Sequence, residues 1–188
     1  MSNVDKLQLG KGKHRNIAFK ELSIIGNNIF WVDGVSDGKN LNNAIFARPF
    51  NDKDAFPQQL TGDEFNLKSN FHGYGGKSYQ CLYFKKNFYL IWIDQFSKAI
   101  WFQIFEGIKL IDRSKKKYLV PVQEARQLSQ PIEGNFDSSF VITQKNILYG
   151  ICEIKNIDYL FSLDLKKTKQ DIHQIKKFDN FAGDLSSN

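Results

Sequence analysis

The chain has 188 residues, 41% of them hydrophobic and 14% aromatic. That length supports one ordinary domain with a true core, and that apolar content excludes a disordered chain. The formal net charge of +6 comes from lysines spread along the chain, often at turns such as Lys85-Lys86 and Lys166-Lys167; with no aromatic-basic ladder beside the denser runs at 11–15 and 115–117, neither a nucleic acid nor a membrane is expected as a partner.

The 17 Phe and 7 Tyr favour strands over helices, so the expected fold class is all-β. Residues 1–17 are polar and include Gly10, Gly12, His14 and Arg15; a flexible lead-in is expected there. A first unit, about 18–65, places strands at 21–25, 29–33, 43–49 and 58–61, with a turn at Gly26-Asn27-Asn28 and a polar loop over 34–40. The second, about 66–132, places strands at 77–84, 88–94, 99–105 and 126–130, with a turn at Lys85-Lys86-Asn87 and an elaborated connection over 106–124. Its last strand, Arg-Gln-Leu-Ser-Gln, echoes the Gln-Gln-Leu-Thr of 58–61. The third, about 133–180, places strands at 138–143, 147–153, 158–165 and 173–178. Residues 181–188 begin a fourth unit. A period of roughly 50 residues with four short strands is that of a β-propeller blade. A sandwich of about twelve strands gives a similar pattern, so periodicity alone leaves both architectures open.

Chemical signatures are sparse. Cys81 and Cys152 lie in apolar strand-patterned runs without metal-ligand spacing, which reads as two buried, reduced thiols and a cytoplasmic location. The N-terminus has no apolar core of a signal peptide, and no apolar stretch approaches a membrane span. Gly76-Lys77-Ser78 resembles the end of a phosphate loop, but the earlier glycine it needs is replaced by Phe71, and a strand rather than a helix is expected next. The one Gly-x-Ser-x-Gly, Gly34-Val35-Ser36-Asp37-Gly38, falls in the polar loop expected between two strands rather than at the strand-to-helix turn a nucleophile elbow needs, and Ser138-Ser139 and Ser186-Ser187 lack the flanking glycines. The three histidines, His14, His72 and His173, lack the company of a zinc site. No metal or other cofactor is expected. Asp33, Asp94, Asp158 and Asp164 close strands, where turn bonding explains them; an acid pair of the glycosidase type stays open. Tyr83, Phe84, Phe88, Tyr89, Trp92, Trp101, Phe102 and Phe105 are expected in the core and between blades rather than on a ligand platform.

Residues 66–81 are the most informative stretch, with His72-Gly73-Tyr74-Gly75-Gly76 at their centre. They resemble the segment Asn-hydrophobic-Arg-x-x-hydrophobic-His-Glu-Tyr-Gly-Gly-x-x-Tyr in the N-terminal β-propeller of S9 (prolyl oligopeptidase family) serine peptidases, in the acylaminoacyl-peptidase and dipeptidyl-aminopeptidase branch. Further pieces are similar and occur in family order: Ile29-Phe30-Trp31-Val32-Asp33, Arg48-Pro49, Gln58-Gln59-Leu60-Thr61, and 181–188 as the opening of a next blade. One departure is plain: the family's Glu is Gly73 here.

The resemblance implies a partial β-propeller of about three four-stranded antiparallel blades, ending early. It implies a parent that continues through further blades into an α/β-hydrolase domain with a catalytic triad and hydrolyses short peptides or acylated amino termini. The propeller of such a parent gates access and contributes substrate contacts. This chain itself carries no catalytic residue, so its expected partners are the missing C-terminal hydrolase domain and a short peptide. His72 and Tyr74 are the candidates for the substrate cavity. Gly73, Gly75 and Gly76 are the structural turn, with Gly75-Gly76 supplying positive φ at the bend. Tyr74 is expected to bury its ring and bond through its hydroxyl, and His72 to bond a backbone carbonyl. The competing reading is a self-contained small β-domain that binds peptide or carbohydrate.

Overall fold

The computed structural model describes residues 20–36, 40–52, 54–73, 76–107 and 118–178. The expected lead-in at 1–17, the opening of a fourth unit at 181–188, Tyr74 and Gly75 lie outside the described residues. Three antiparallel sheets follow one another along the chain. The first is β1 (Lys20–Ile25), β2 (Asn28–Ser36), β3 (Leu41–Pro49) and β4 (Gln58–Gln59). The second is β5 (Tyr79–Phe84), β6 (Asn87–Asp94), β7 (Ala99–Gly107), β8 (Leu119–Pro121) and β9 (Arg126–Gln127), the last two both pairing with β7. The third is β10 (Gly134–Ile142), β11 (Ile147–Ile154), β12 (Ile157–Asp164) and β13 (His173–Phe178).

The hairpins follow from turn chemistry. Lys85 and Lys86 have φ of 50° and 67°, and Lys155 and Asn156 have 52° and 61°. Two consecutive left-handed residues give the two-residue turn whose twist matches that of the strands it joins. That conformation is uncommon for lysine, and pairing along whole strands on either side holds it in place.

Side-chain alternation then decides how the sheets stack. Phe88, Leu90 and Trp92 of β6 point into one cluster with Phe30, Val32, Ile45 and Ala47 of the first sheet. Tyr89, Ile91 and Ile93 point the other way, into a cluster with Phe136, Phe140, Leu148, Cys152, Phe161 and Leu163 of the third. The central sheet is therefore buried on both faces, which is why Phe88–Ile93 is a continuous apolar run rather than an alternating one. A two-sheet sandwich has no such middle layer. The first strand of each sheet lies beside the first strand of the next. Ser23 and Tyr79 share a hydroxyl hydrogen bond of 2.9 Å, the Tyr79 hydroxyl donates to the Glu21 carbonyl at 2.8 Å, and Ser138 Oγ donates to the Tyr79 carbonyl at 3.1 Å. The Phe140 N–H donates to Gln80 Oε1. The result is a partial all-β propeller of three consecutive blades with β1, β5 and β10 innermost.

The structure corrects four expectations. The second blade has five strands, because β8, inside the expected connection 106–124, pairs with Phe105–Gly107. The expected loop 34–40 begins later: Gly34, Val35 and Ser36 pair with Asn43, Asn42 and Leu41. Tyr83 is 54% exposed, so it is not core, and its ring instead meets Phe88 at 4.9 Å between centroids. Gly76 is not in the left-handed region; the positive φ angles of the bend belong to His72 (51°) and Gly73 (72°).

Candidate functional site

The link between the first and second blades runs from β4 to β5 across one end of the sheets. Leu60, Phe65 and Leu67 are buried in the first inter-blade cluster. Leu67 pairs with Asp94 at the end of β6, and the Asn66 N–H donates to Asp94 Oδ1 at 2.9 Å. These anchors carry the next residues past the second blade and onto the third. Ser69 Oγ donates to the Phe136 carbonyl at 2.6 Å and accepts from the Phe71 N–H at 3.2 Å. The chain then turns as a short 3-10 segment, Phe71–Gly73, closed by the Gly73 N–H on the Asn70 carbonyl at 2.9 Å.

His72 meets two carboxylates of the β11–β12 hairpin. Its backbone N–H donates to Glu153 Oε2 at 3.0 Å, and its Nε2 lies 3.2 Å from Asp158 Oδ2. Glu153 and Asp158 are directly opposed across that hairpin, so one residue of the link engages both strands of a sheet two blades on. The Phe71 ring packs edge-on against the imidazole at 4.2 Å. The His72 side chain stays 42% exposed, so one edge of the ring faces solvent. In place of the expected backbone-carbonyl bond, the imidazole meets the Asp158 carboxylate.

Of the five residues singled out from the sequence, His72, Gly73 and Gly76 are described, and Tyr74 and Gly75 lie outside the described residues. Nothing lies within 4 Å of where a Gly73 Cβ would be. A side chain at that position would meet nothing at its Cβ but would sit at a left-handed φ. Gly76 is different: a Cβ there would approach Asp137 Oδ1 to 3.0 Å and Ser69 Oγ to 3.3 Å. Its role is close approach to the third blade. Sequence reading missed Glu153 and took Asp158 for a strand-closing residue. Both partner His72 across more than eighty positions, and no local spacing signals such a pairing.

The same end of the molecule has further buried polar chemistry. Asp94 is buried, and its Oδ2 accepts from the Ser97 N–H at 2.8 Å and hydroxyl at 2.7 Å. Burial and the nearby Asp158 charge push the Cys152 thiol up to about 12, and burial drives the Cys81 thiol upward as well; both cysteines are free. Neither is a nucleophile in this setting. Among the described residues no three His, Cys, Asp or Glu side chains cluster as metal ligands, and no helix is long and apolar enough to cross a membrane. Among the described residues around His72 there is no activated nucleophile.

No family model matches the chain, nor does any curated protein. Solved structures do. The chain is similar to a puromycin hydrolase with a TM-score of 0.60 at 12% identity, over 87% of this chain and 24% of that one. It is similar to a puromycin-hydrolyzing peptidase of Mycobacterium tuberculosis with a TM-score of 0.58 at 11% identity, over 88% of this chain and 25% of that one. A mutant puromycin hydrolase complexed with PGG gives 0.56 at 13% identity, over 82% of this chain and 22% of that one. At such identities the shared property is the fold. The chain spans about a quarter of the length of these structures.

Proposed function

We propose that this chain is the N-terminal, non-catalytic propeller segment of an S9 serine peptidase of the acylaminoacyl-peptidase and dipeptidyl-aminopeptidase branch. The observation that carries the reading is the coincidence of two independent likenesses. Three blades in series share the fold of hydrolases about four times longer, and the His72-Gly73-Tyr74-Gly75-Gly76 block occupies the crossing between the first two blades. In the parent, the α/β-hydrolase domain supplies the Ser-Asp-His triad and cleaves short peptides or acylated amino termini. The propeller restricts entry and lends contacts, with Tyr74 and the solvent-facing edge of His72 among them. Its partners are that hydrolase domain and the peptide, not a nucleic acid or a membrane. Two reduced, buried thiols fit a cytoplasmic protein.

The test is expression of this chain together with its downstream reading frame, alongside the 188-residue chain alone. The longer product is expected to turn over peptide-amide or acyl-peptide substrates in a manner abolished by a serine-directed reagent, and the short chain to be inert. Serine-reagent-sensitive turnover by the short chain, or its absence from the longer product, overturns the reading.

A further inference from the structure

A cleft of about 270 Å³ opens between the second and third blades, on the end of the molecule that carries the link. Lys68 and Lys98 line it, together with Asn70, Asn135 and the buried Asp94. Lys68 owes its position to the link: Leu67 is drawn into the core and paired with Asp94, so the following side chain points out over the cleft. Lys98 closes the β6–β7 turn with a φ of 51°, its carbonyl held by the Ile132 N–H.

The charges in this cleft do not balance. Among the described residues no carboxylate lies within ion-pair distance of either ammonium group, and the side-chain amides of Asn70 and Asn135 make no hydrogen bond. The one carboxylate in the wall is Asp94, and its oxygens already accept from Asn66 and twice from Ser97. Two exposed cations and two amide groups therefore face a small space whose one carboxylate, Asp94, is already engaged by Asn66 and Ser97. A lysine ammonium is a point charge with three donors suited to carboxylate and phosphate oxygens. The volume lies just below the range of roughly 300–1,000 Å³ that holds a drug-sized ligand, so it takes a small ion or the charged end of a longer molecule.

We propose that this inter-blade cleft is an oxyanion site, with Lys68 and Lys98 as the charge partners and Asn70 and Asn135 as neutral donors. The ligand is a carboxylate or a phosphate group. The inference stands on this chain alone and does not depend on the peptidase reading.

The experiment titrates the 188-residue chain at low salt with inorganic phosphate, with N-acetyl-dialanine and with the C-terminal amide of that dipeptide. Backbone amide resonances of Ser69, Asn70 and Asn135 report binding. Saturable shifts are expected with phosphate or with the dipeptide acid and none with the amide; the tighter of the two acids identifies the source of the oxyanion. The double variant Lys68→Met/Lys98→Met is expected to weaken binding by about ten-fold or more. Lys145→Met, in the exposed β10–β11 turn, is expected to leave it unchanged. No shift with either acid up to about 20 mM, equal binding of the amide, or an equal loss in Lys145→Met overturns the proposal.

Discussion

Glu21 shows how one backbone irregularity serves the whole assembly. The register of β1 against β2 slips between Lys20 and Ser23, and Glu21 takes a φ of 55° at that bulge. A bulge re-aims its side chain. Glu21 Oε2 thereby reaches across the blade boundary and accepts from the Ser78 N–H at 2.7 Å and hydroxyl at 3.0 Å. Burial raises its pKa above the ordinary 4.5, and the Ser78 bonds only partly offset that. The folded carboxyl therefore holds its proton to higher pH than the unfolded one. The stability it contributes is full below about 4.5 and declines as pH rises through the raised folded value. Glu21→Gln keeps an acceptor for Ser78 and removes that dependence. Urea unfolding is expected to show the variant more stable than the parent at pH 7, with the advantage gone at pH 4. The cysteines give a second test at this scale. With Cys152 near 12 and Cys81 also driven upward, a disulfide reagent at pH 8 is expected to label neither thiol until denaturant is added; immediate labelling of the native chain contradicts the buried placement. At His72, the half-exposed contact with Asp158 contributes little, so His72→Ala is expected to cost no more than about 1 kcal/mol of stability.

Blades are joined at their outer edges as well as at the inner strands. Gln58 of β4 donates from Nε2 to the Leu119 carbonyl at 2.7 Å, and its Oε1 accepts from the Tyr118 and Leu119 N–H groups at 2.8 and 3.0 Å. Gln58→Ala leaves several polar groups beside the buried Leu119 unpaired, and chemical denaturation is expected to show a loss of about 1–3 kcal/mol. On the far side of the second blade, Gln127 and Leu128 carbonyls accept from Lys169 and Gln170 of the third, and Arg126 donates to the Leu165 carbonyl. The strands were legible from the sequence because apolar runs and turn residues are local: Phe88–Asp94 falls within β6 (Asn87–Asp94), and Lys85-Lys86 makes its turn. What was not legible is long-range. The three residues of β8 carry too little pattern to mark a strand, and only pairing with β7 defines them. Gly34 reads as a loop residue by type and becomes a strand residue through its pairing with Asn43 on the neighbouring strand. The site was half legible. The block around His72 stands out by composition, but Glu153 and Asp158 are fixed by how blades stack.

The whole molecule has two flanks that the central blade does not cover. On the first blade Leu22 and Ile24 are each 59% exposed. On the third, Val141 is 62% exposed and stands opposite Tyr149, with the pair Ile151 and Leu160 beside it on the same face. Exposed apolar sheet faces of this kind promote association. Sedimentation is expected to show concentration-dependent self-association of the 188-residue chain, reduced by Val141→Lys; a monomer with one sharp, reversible unfolding transition is the contrary result. The central claim, that these sheets are consecutive wedges of a ring, is tested most directly by a crystal structure of the chain with its downstream reading frame. The account predicts a fourth antiparallel sheet seated on Val141, Tyr149, Ile151 and Leu160, its first strand beside β10. It is contradicted if that face is covered by a helix or left in solvent.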